Sequence, residues 1–317
     1  MIATDYLISC DWGTSSFRLY LVRVSDGKIL HLVDNGLGIK EMYTNWSKPG
    51  NPARLEYFLE YLDFRIYLLS KKAGRKLDGI PVLISGMASS SIGMLELPYS
   101  QLPFPLSGRK LEYTIIEPDA TQRPPIYLWS GLCSEHDVMR GEESQIIGLS
   151  DRFASRAGVA ILPGTHSKHI FLEGETIVDF HTYMTGEFFA LLSSHSILKN
   201  SLPEGKVPPA DPVYFAKGVR AAKELSLLTT SFHVRTNELL HQLGPEQNFH
   251  YLSGLLIGSE LRELPTGVPV YLCGGGRLRV PYERALEILG IRQVEVIGAD
   301  EVEGAVARAH ALFWRNL

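Results

Sequence analysis

Twice in this chain, about half its length apart, an apolar strand-like run stops at a Gly-Thr turn flanked by hydroxyls and resumes as a second strand. The first instance is Tyr6-Leu7-Ile8-Ser9-Cys10, then Asp11-Trp12-Gly13-Thr14-Ser15-Ser16, then the alternating run Phe17-Arg18-Leu19-Tyr20-Leu21-Val22. The second is Val159–Leu162, then Pro163-Gly164-Thr165-His166-Ser167-Lys168, then His169–Leu172. Period-two alternation broken by turn residues reads as a hairpin. Its recurrence at a fixed offset reads as an internal repeat of one folding unit. With 317 residues, the chain exceeds the size at which single cores usually stop growing. The expectation is therefore an α/β protein of two domains, residues 1–153 and 154–317, with the boundary near Arg152–Gly158.

The intervening sequence alternates strand and helix patterns. Lys28–Val33, Ile80–Met87, Ile126–Cys133 and Val268–Cys273 read as strands, and Glu173-Gly174-Glu175 as a hairpin turn. Arg54–Lys72 places Leu55, Phe58, Leu59, Leu62, Ile66 and Leu69 at helical spacing. Helices are also predicted over Gly141–Phe153, from Thr185, over most of Asp211–Leu264 with a break at Gly244-Pro245, and over Glu301–Trp314. The Pro-rich stretches Leu97–Pro105 and Leu202–Pro212 read as loops or lids.

Composition narrows the function classes. A formal net charge of −4 without any run of Lys and Arg argues against a nucleic-acid partner. No apolar stretch is long enough to span a bilayer, so no membrane association is expected. Cys10, Cys133 and Cys273 lie far apart without CxxC spacing, so neither a disulfide framework nor a zinc site is indicated. The N-terminus lacks a basic segment followed by an apolar one, which reads as a cytoplasmic protein. Oligomeric state is not legible, although the aromatic-rich segment Tyr57–Tyr67 would suit a core or a homodimer contact.

Three glycine-rich turns that follow strands could hold anions. At Gly13-Thr14-Ser15, backbone N–H groups and hydroxyls converge, and the adjacent Asp11 could hold Mg²⁺ through water. Gly164, Thr165 and Ser167 offer a similar set, with Lys168 as a cation to offset phosphoryl charge. Gly274-Gly275-Gly276 permits close backbone approach to a flat ligand or a phosphate. No Walker P-loop, G-x-G-x-x-G or protein-kinase motif occurs. Phosphoryl transfer is still compatible, because it needs positioned donors, a metal and an oriented nucleophile rather than one motif. Arg140-Gly141-Glu142-Glu143 sets a cation and two carboxylates at a helix start. Carboxylates there are favoured by the helix dipole by about 0.3–1 kcal/mol each. Capping does not call for Arg140, whereas a sugar acid needs a base for its hydroxyl and a cation for its carboxylate. Met87, Ser89 and Ser90 lie in a Gly/Ser turn at the C-terminal end of a strand, where ligands commonly bind in open α/β sheets.

Taken in order, Asp11-Trp12-Gly13-Thr14, Gly86–Ser90, Val138–Gln145, Leu162–Lys168, Met184-Thr185-Gly186-Glu187 and Leu252–Gly258 resemble the 2-dehydro-3-deoxygalactonokinase family over nearly the whole chain. The Met-Arg-Gly-Glu-Glu and Pro-Gly-Thr-His-Ser-Lys segments are specific to it, while Asp-x-Gly-Thr is shared with the actin, Hsp70 and sugar-kinase superfamily. The resemblance implies an α/β fold of two ribonuclease-H-like lobes, with mixed sheets flanked by helices around a central cleft. The first lobe would carry the sugar acid and one phosphate turn, the second the other phosphate turn and the adenosine. The last helix could return to the first lobe. ATP would phosphorylate the 6-hydroxyl of 2-dehydro-3-deoxy-D-galactonate. The alternatives are a kinase for another sugar acid such as 2-keto-3-deoxygluconate, an exopolyphosphatase-like phosphohydrolase, and a non-catalytic nucleotide-binding module. Within the superfamily pattern, Asp11, Gly13 and Thr14 fall on the first phosphate turn. Gly164, Thr165 and Ser167 fall on the second, and Gly274–Gly276 beside the adenosine. Related sugar kinases place a catalytic Asp where this chain has Gly141-Glu142-Glu143-Ser144. Glu142 is thus the first candidate base, with Glu143 and Asp137 behind it. Arg140, Met87, Ser89 and Ser90 would position the acid.

Overall fold

The computed structural model describes residues 4–118, 123–153, 157–205 and 207–317. β1, Tyr6–Trp12, is buried on both faces, which explains its nearly unbroken apolar sequence. Ile8, Cys10 and Trp12 enter one core with Phe17, Leu19 and the helical residues Phe58 and Leu62. On the other face, the Ser9 hydroxyl lies 2.7 Å from His310 Nδ1 on the C-terminal helix, Ala305–Asn316. Burial drives the His310 pKa down to about 3, so this imidazole is a neutral core group.

β1 pairs antiparallel with β2 (Phe17–Arg23), and β2 with β3 (Ile29–Val33). Two helices follow, α1 (Ile39–Trp46) and α2 (Arg54–Ala73). β4 (Val82–Gly86) then adds parallel to β1. β6 (Ile126–Trp129) lies parallel to β4, and β5 (Tyr113–Ile116) antiparallel to β6. The sheet order is β3-β2-β1-β4-β6-β5.

The second six-stranded sheet repeats that plan. β7 (Gly158–Leu162), β8 (Ser167–Glu173) and β9 (Thr176–Tyr183) are neighbours joined by tight turns. β10 (Val270–Cys273) pairs parallel with β7, and β11 (Val294–Ile297) parallel with β10. The order β9-β8-β7-β10-β11 reproduces β3-β2-β1-β4-β6 strand for strand. The ribonuclease-H-like expectation is met in this order, and the repeated strand–turn–strand motif is the first hairpin of each copy. Helices α4 (Thr185–His195), α5 (Pro212–Glu224), α6 (Pro245–Leu261) and α7 (Gly276–Leu289) belong to this second unit.

By contact, one unit comprises Met1–Arg156, Leu172–Asp179 and Asp300–Leu317, and the other Ala157–Phe171 and Phe180–Ala299. Within the first, Thr176 and Ile177 pair with Pro105 and Phe104. Residues 154–156, where the sequence suggested the boundary, lie outside the described residues.

Three elements differ from the sequence reading. The helix expected over Gly141–Phe153 is α3, Glu142–Gly148, followed by a 3₁₀ turn over Ser150–Arg152. Gly148 is pressed against the C-terminal helix, since a Cβ there would lie 1.8 Å from the Ala305 carbonyl oxygen. Arg308 Nε also donates to the Gly148 carbonyl at 2.9 Å. The strand expected through Cys133 stops at Trp129, and Leu132–Cys133 joins a separate three-stranded sheet with Val138–Met139 and Ser100–Gln101. The final helix is interrupted at Gly304, giving a short helix over Ala299–Glu303 before Ala305–Asn316. Among the described residues, no helix is long and apolar enough to cross a membrane.

Candidate functional site

The first turn is closed by a hydrogen bond from Gly13 N–H to the Ser16 carbonyl, 2.9 Å. The first backbone donors of α1 secure it from outside. Ile39 N–H bonds the Gly13 carbonyl at 3.0 Å and Lys40 N–H the Thr14 carbonyl at 3.1 Å. Thr14 and Ser15 stay exposed. Beside them, Asp11 is 17% exposed and its Oδ2 takes a hydrogen bond from its cross-strand neighbour Arg18 at 3.1 Å. Burial raises the Asp11 pKa, and Arg18 opposes that rise. Ser85 is the register partner of Asp11 on β4, and its buried hydroxyl has no hydrogen-bond partner among the described residues. One carboxylate beside an unpartnered hydroxyl fits Mg²⁺, which keeps several waters and binds through one or two carboxylates plus phosphates. Among the described residues, there is no cluster of three or more acidic, His or Cys side chains, so a cation caged by protein groups alone is not indicated.

Three chain segments meet at the end of this sheet. Gly86 closes β4 with φ +92°, and a Cβ there would lie 2.7 Å from the Trp12 carbonyl oxygen, so no other residue fits without moving β1. Gly141, at the start of α3, would bring a Cβ within 3.4 Å of Gly86 Cα. The ends of β1 and β4 and the start of α3 are thereby in contact. Across this junction Arg140 Nη1 donates to Ser89 Oγ at 2.6 Å, and Nη2 to the Leu97 carbonyl at 3.2 Å. Its guanidinium lies 4.1 Å from the centre of the Tyr99 ring, and its buried Nε has no partner among the described residues. Ser89 is buried, and Ser90 donates to the Met87 carbonyl at 2.7 Å, folding the Gly/Ser turn on itself. Arg140 and the serine turn, both expected to position the acid, are thus in contact, with Ser89 as the partner and Ser90 bracing the turn.

The two adjacent carboxylates occupy different environments. Glu142 is half-buried, and its Oε2 accepts from the Arg140 backbone N–H at 3.1 Å. Glu143 is wholly buried, accepting from Gly141 N–H at 2.6 Å and from the Ser144 hydroxyl at 3.1 Å. Burial first, and Glu142 second, push the Glu143 pKa up to about 8. Near neutral pH Glu143 is therefore mostly a protonated, internally bonded group, while Glu142 retains exposure. Asp137 lies in the preceding loop, where its carboxylate takes the Val138 N–H at 2.7 Å.

In the second unit, Gly164 and the exposed Thr165 and His166 form the turn between β7 and β8. Ser167 and Lys168 do not face outward from it, as the sequence reading had them. Both belong to β8 and are buried, and Lys168 is 5% exposed and engaged within the fold. The Ser167 hydroxyl is spent on Glu260 Oε1 at 2.7 Å. Glu260, on α6, was not anticipated. It is 2% exposed and also accepts from Tyr282 at 2.7 Å, from the Thr185 hydroxyl, and from His169 Nε2 at 2.9 Å. An acid inside the apolar run Leu255-Leu256-Ile257-Gly258-Ser259-Glu260-Leu261 is the sequence signal that could have found it. The Met184–Glu187 segment starts α4 against the turn. A Cβ on Gly186 would lie 2.8 Å from the Gly164 carbonyl oxygen and from Thr165 Cα. Glu187 N–H donates to the Thr165 carbonyl at 3.1 Å, and His166 Nε2 lies 2.5 Å from Glu187 Oε2.

A cavity of about 280 Å³ opens beside Gly164. Phe189 of α4, with Phe249 and Leu256 of α6, supplies much of its apolar lining, and Val207 from the Pro-rich stretch also borders it. That stretch is tied to α6 by His250 Nε2, 2.7 Å from the Pro209 carbonyl oxygen. Lys206 lies outside the described residues. Gly274 follows β10, Gly275 caps α7, and Gly276 is its first residue, so the glycine turn sets the helix whose Arg277, Leu278 and Pro281 border the same cavity.

Comparison with known proteins is consistent with this architecture. Residues 11–309 match the family model described as 2-keto-3-deoxy-galactonokinase. A Rhizobium meliloti (strain 1021) protein called "Probable 2-dehydro-3-deoxygalactonokinase DgoK1" is 32% identical over 99% of each chain. The 2-dehydro-3-deoxygalactonokinase of Escherichia coli (strain K12) is 33% identical over 73% of this chain and 79% of its own. A crystal structure from Sinorhizobium meliloti carrying the same kinase assignment superposes with a TM-score of 0.79, at 30% identity over 98% of this chain and 97% of its own.

Proposed function

Because this chain belongs to the 2-keto-3-deoxy-galactonokinase family, we propose that it transfers the terminal phosphoryl group of ATP to the 6-hydroxyl of 2-dehydro-3-deoxy-D-galactonate, releasing ADP. The observation that carries this reading is the junction in the first unit. There Arg140, fixed on Ser89, stands two residues from a half-buried carboxylate, Glu142. A sugar acid presents a carboxylate and a hydroxyl, and this pair offers a cation for one and a base for the other.

Glu142 accepts the proton of the attacking hydroxyl as its oxygen bonds to the phosphorus and the bond to ADP breaks. Such a base typically contributes about 10²–10⁴-fold in rate. Arg140 and the Met87–Ser90 turn position the acid. Thr14 and Ser15 offer exposed hydroxyls, and the backbone of Gly13 an open approach, for the transferred phosphoryl group. Asp11 would hold Mg²⁺, which when bound neutralises phosphate charge. In the second unit, Gly164 and Thr165 take nucleotide phosphates at a turn kept rigid by Glu260. The cavity bordered by α6 and α7 takes the nucleobase, with the backbone of Gly275 and Gly276 alongside.

The test is an ADP-coupled assay across 2-keto-3-deoxy sugar acids with the wild type and Glu142→Gln. The expected result is turnover with the galactonate-derived acid that Glu142→Gln nearly abolishes. Phosphate release from ATP without any sugar acid would replace the kinase reading by a phosphohydrolase.

A further inference from the structure

Among the described residues, the Arg140 guanidinium is held by neutral groups, and one of them, the Tyr99 ring, has no part in the function proposed above. We infer that Tyr99 is a positioning residue for the sugar acid. Its ring face fixes the Arg140 guanidinium while leaving the charge and the unspent N–H groups to the substrate's carboxylate. The inference rests on Arg140 receiving that carboxylate.

The small three-stranded sheet builds this contact. Leu132 pairs with Met139 on one side and with Ser100 on the other. One residue beyond that row lie Arg140, Gly131 and Tyr99, and Ser100 N–H donates to the Gly131 carbonyl at 2.9 Å. Gly131 leaves the middle of the row empty. A Cβ there would lie 3.1 Å from Arg140 Cβ and 3.1 Å from Tyr99 Cδ1. Across that gap the ring centre comes within 4.1 Å of the guanidinium. Tyr99 is half-buried and its hydroxyl makes no hydrogen bond among the described residues, so the ring face is what meets Arg140.

A carboxylate partner would also hold Arg140, but it would neutralise the charge and occupy the planar fork that a substrate carboxylate needs. A ring face does neither. It attracts the cation through its quadrupole, more strongly as water is excluded, and consumes no N–H group. Ser89 and the Leu97 carbonyl take one N–H each from Nη1 and Nη2, and the buried Nε–H has no partner among the described residues. Glu142 takes the Arg140 backbone N–H and not its side chain. A cation fixed in this way and left unneutralised favours an anion over an uncharged molecule of the same shape.

The experiment measures kcat/KM for 2-dehydro-3-deoxy-D-galactonate and for its uncharged methyl ester at saturating ATP. The proteins are the wild type, Tyr99→Phe, Tyr99→Leu and Arg140→Met. The wild type should prefer the acid, and Arg140→Met should abolish that preference. Tyr99→Leu should reduce it by about 3- to 30-fold, the span of a cation–ring contact from exposed to desolvated, through the acid and not the ester. Tyr99→Phe, which keeps the ring face, should retain the wild-type preference. Equal losses on acid and ester in Tyr99→Leu would make the ring mere packing and overturn the inference. A loss in Tyr99→Phe as large as in Tyr99→Leu would overturn it too, by moving the role to the hydroxyl. If Arg140→Met abolishes the preference while Tyr99→Leu keeps it, the positioning role falls and the reading of Arg140 stands. If Arg140→Met keeps it, the carboxylate binds elsewhere and both fall. Should Tyr99→Leu melt early by circular dichroism, Tyr99→Met, which keeps more of the side chain's reach, reads the same preference.

Discussion

The two units share one strand order and place a Gly-Thr turn at the same point, yet they support that turn by opposite means. Behind the first turn lies an aromatic cluster. Trp12 packs edge-on to Phe17 at 5.0 Å and near-parallel to Tyr61 at 5.9 Å. The buried charge among these rings is Arg65, 6% exposed, over Phe17 at 5.4 Å and Tyr61 at 5.3 Å. Among the described residues its buried Nε has no acceptor, and the guanidinium lies over both ring faces. Beneath the second turn the buried acidic side chain is Glu260, its carboxyl surrounded by three hydroxyls and an imidazole. In the first unit Asp11, Glu142 and Arg140 keep partial exposure to solvent. The second support locks a largely neutral turn whose task is to stay in place. On the function proposed above, the same topology serves chemistry in one copy and rigidity in the other.

The sharpest way to break this division is to compare Glu142→Gln with Glu260→Gln. Glu142→Gln should lower kcat by about 10²–10⁴-fold with little change in the KM for ATP or in melting temperature. Glu260→Gln should act in the other coordinate. It introduces an amide among four donors and strands at least one of them, at about 1–3 kcal/mol of stability. It should raise the KM for ATP more than it lowers kcat. If Glu260→Gln instead abolished kcat at unchanged KM, chemistry would not be confined to the first unit.

Much of this organisation is legible in the sequence, and what is not has a physical reason. The paired turns and the strand that carries Asp11 follow from alternation and glycine placement, and Arg140 and Ser89 are singled out by residue chemistry, though not their contact. The roles of Ser167 and Lys168 do not. A hydroxyl and an ammonium after a Gly-Thr turn look outward in one dimension, but β8 starts at Ser167 and draws both residues into the interior. Glu260 is marked in the sequence only as an acid inside an apolar run; its role is not legible there, since its partners come from residues 167, 169, 185 and 282 and no local pattern links them. The Glu142/Glu143 pair could not be divided by sequence, because neighbouring positions on a helix differ only in the face they present.

A second contrast lies within that pair and has a pH signature. The folded-state pKa of Glu143 is about 8 against an ordinary value of 4.5. The folded state therefore binds the proton more tightly than the unfolded chain. That stabilisation is fully present below about pH 4.5 and is lost as pH rises through about 8, at up to about 1.4 kcal/mol per pH unit. Glu143→Gln mimics the protonated form and removes the dependence. Urea midpoints at pH 5, 6.5 and 8 should diverge, with the variant gaining on the wild type as pH rises. Parallel curves would mean that Glu143 is ionised in the fold.

The smallest effect is expected at Arg65, and its sign is the informative part. A buried cation with few or no hydrogen-bond acceptors has lost hydration without full compensation, and apolar replacement of buried charges is often neutral or stabilising. Against that stands the loss of two ring contacts, worth about 0.5–1 kcal/mol each at modest burial. Arg65→Met keeps most of the length of the side chain while removing the charge. A change in unfolding free energy within about 1 kcal/mol of zero, measured by urea denaturation at pH 7, is the expected outcome. Glu260→Met, which strips the acceptor from four donors, should cost several-fold more. If Arg65→Met proved as damaging as Glu260→Met, the guanidinium would be a structural keystone behind the first turn, and the two supports would differ only in the sign of their charge.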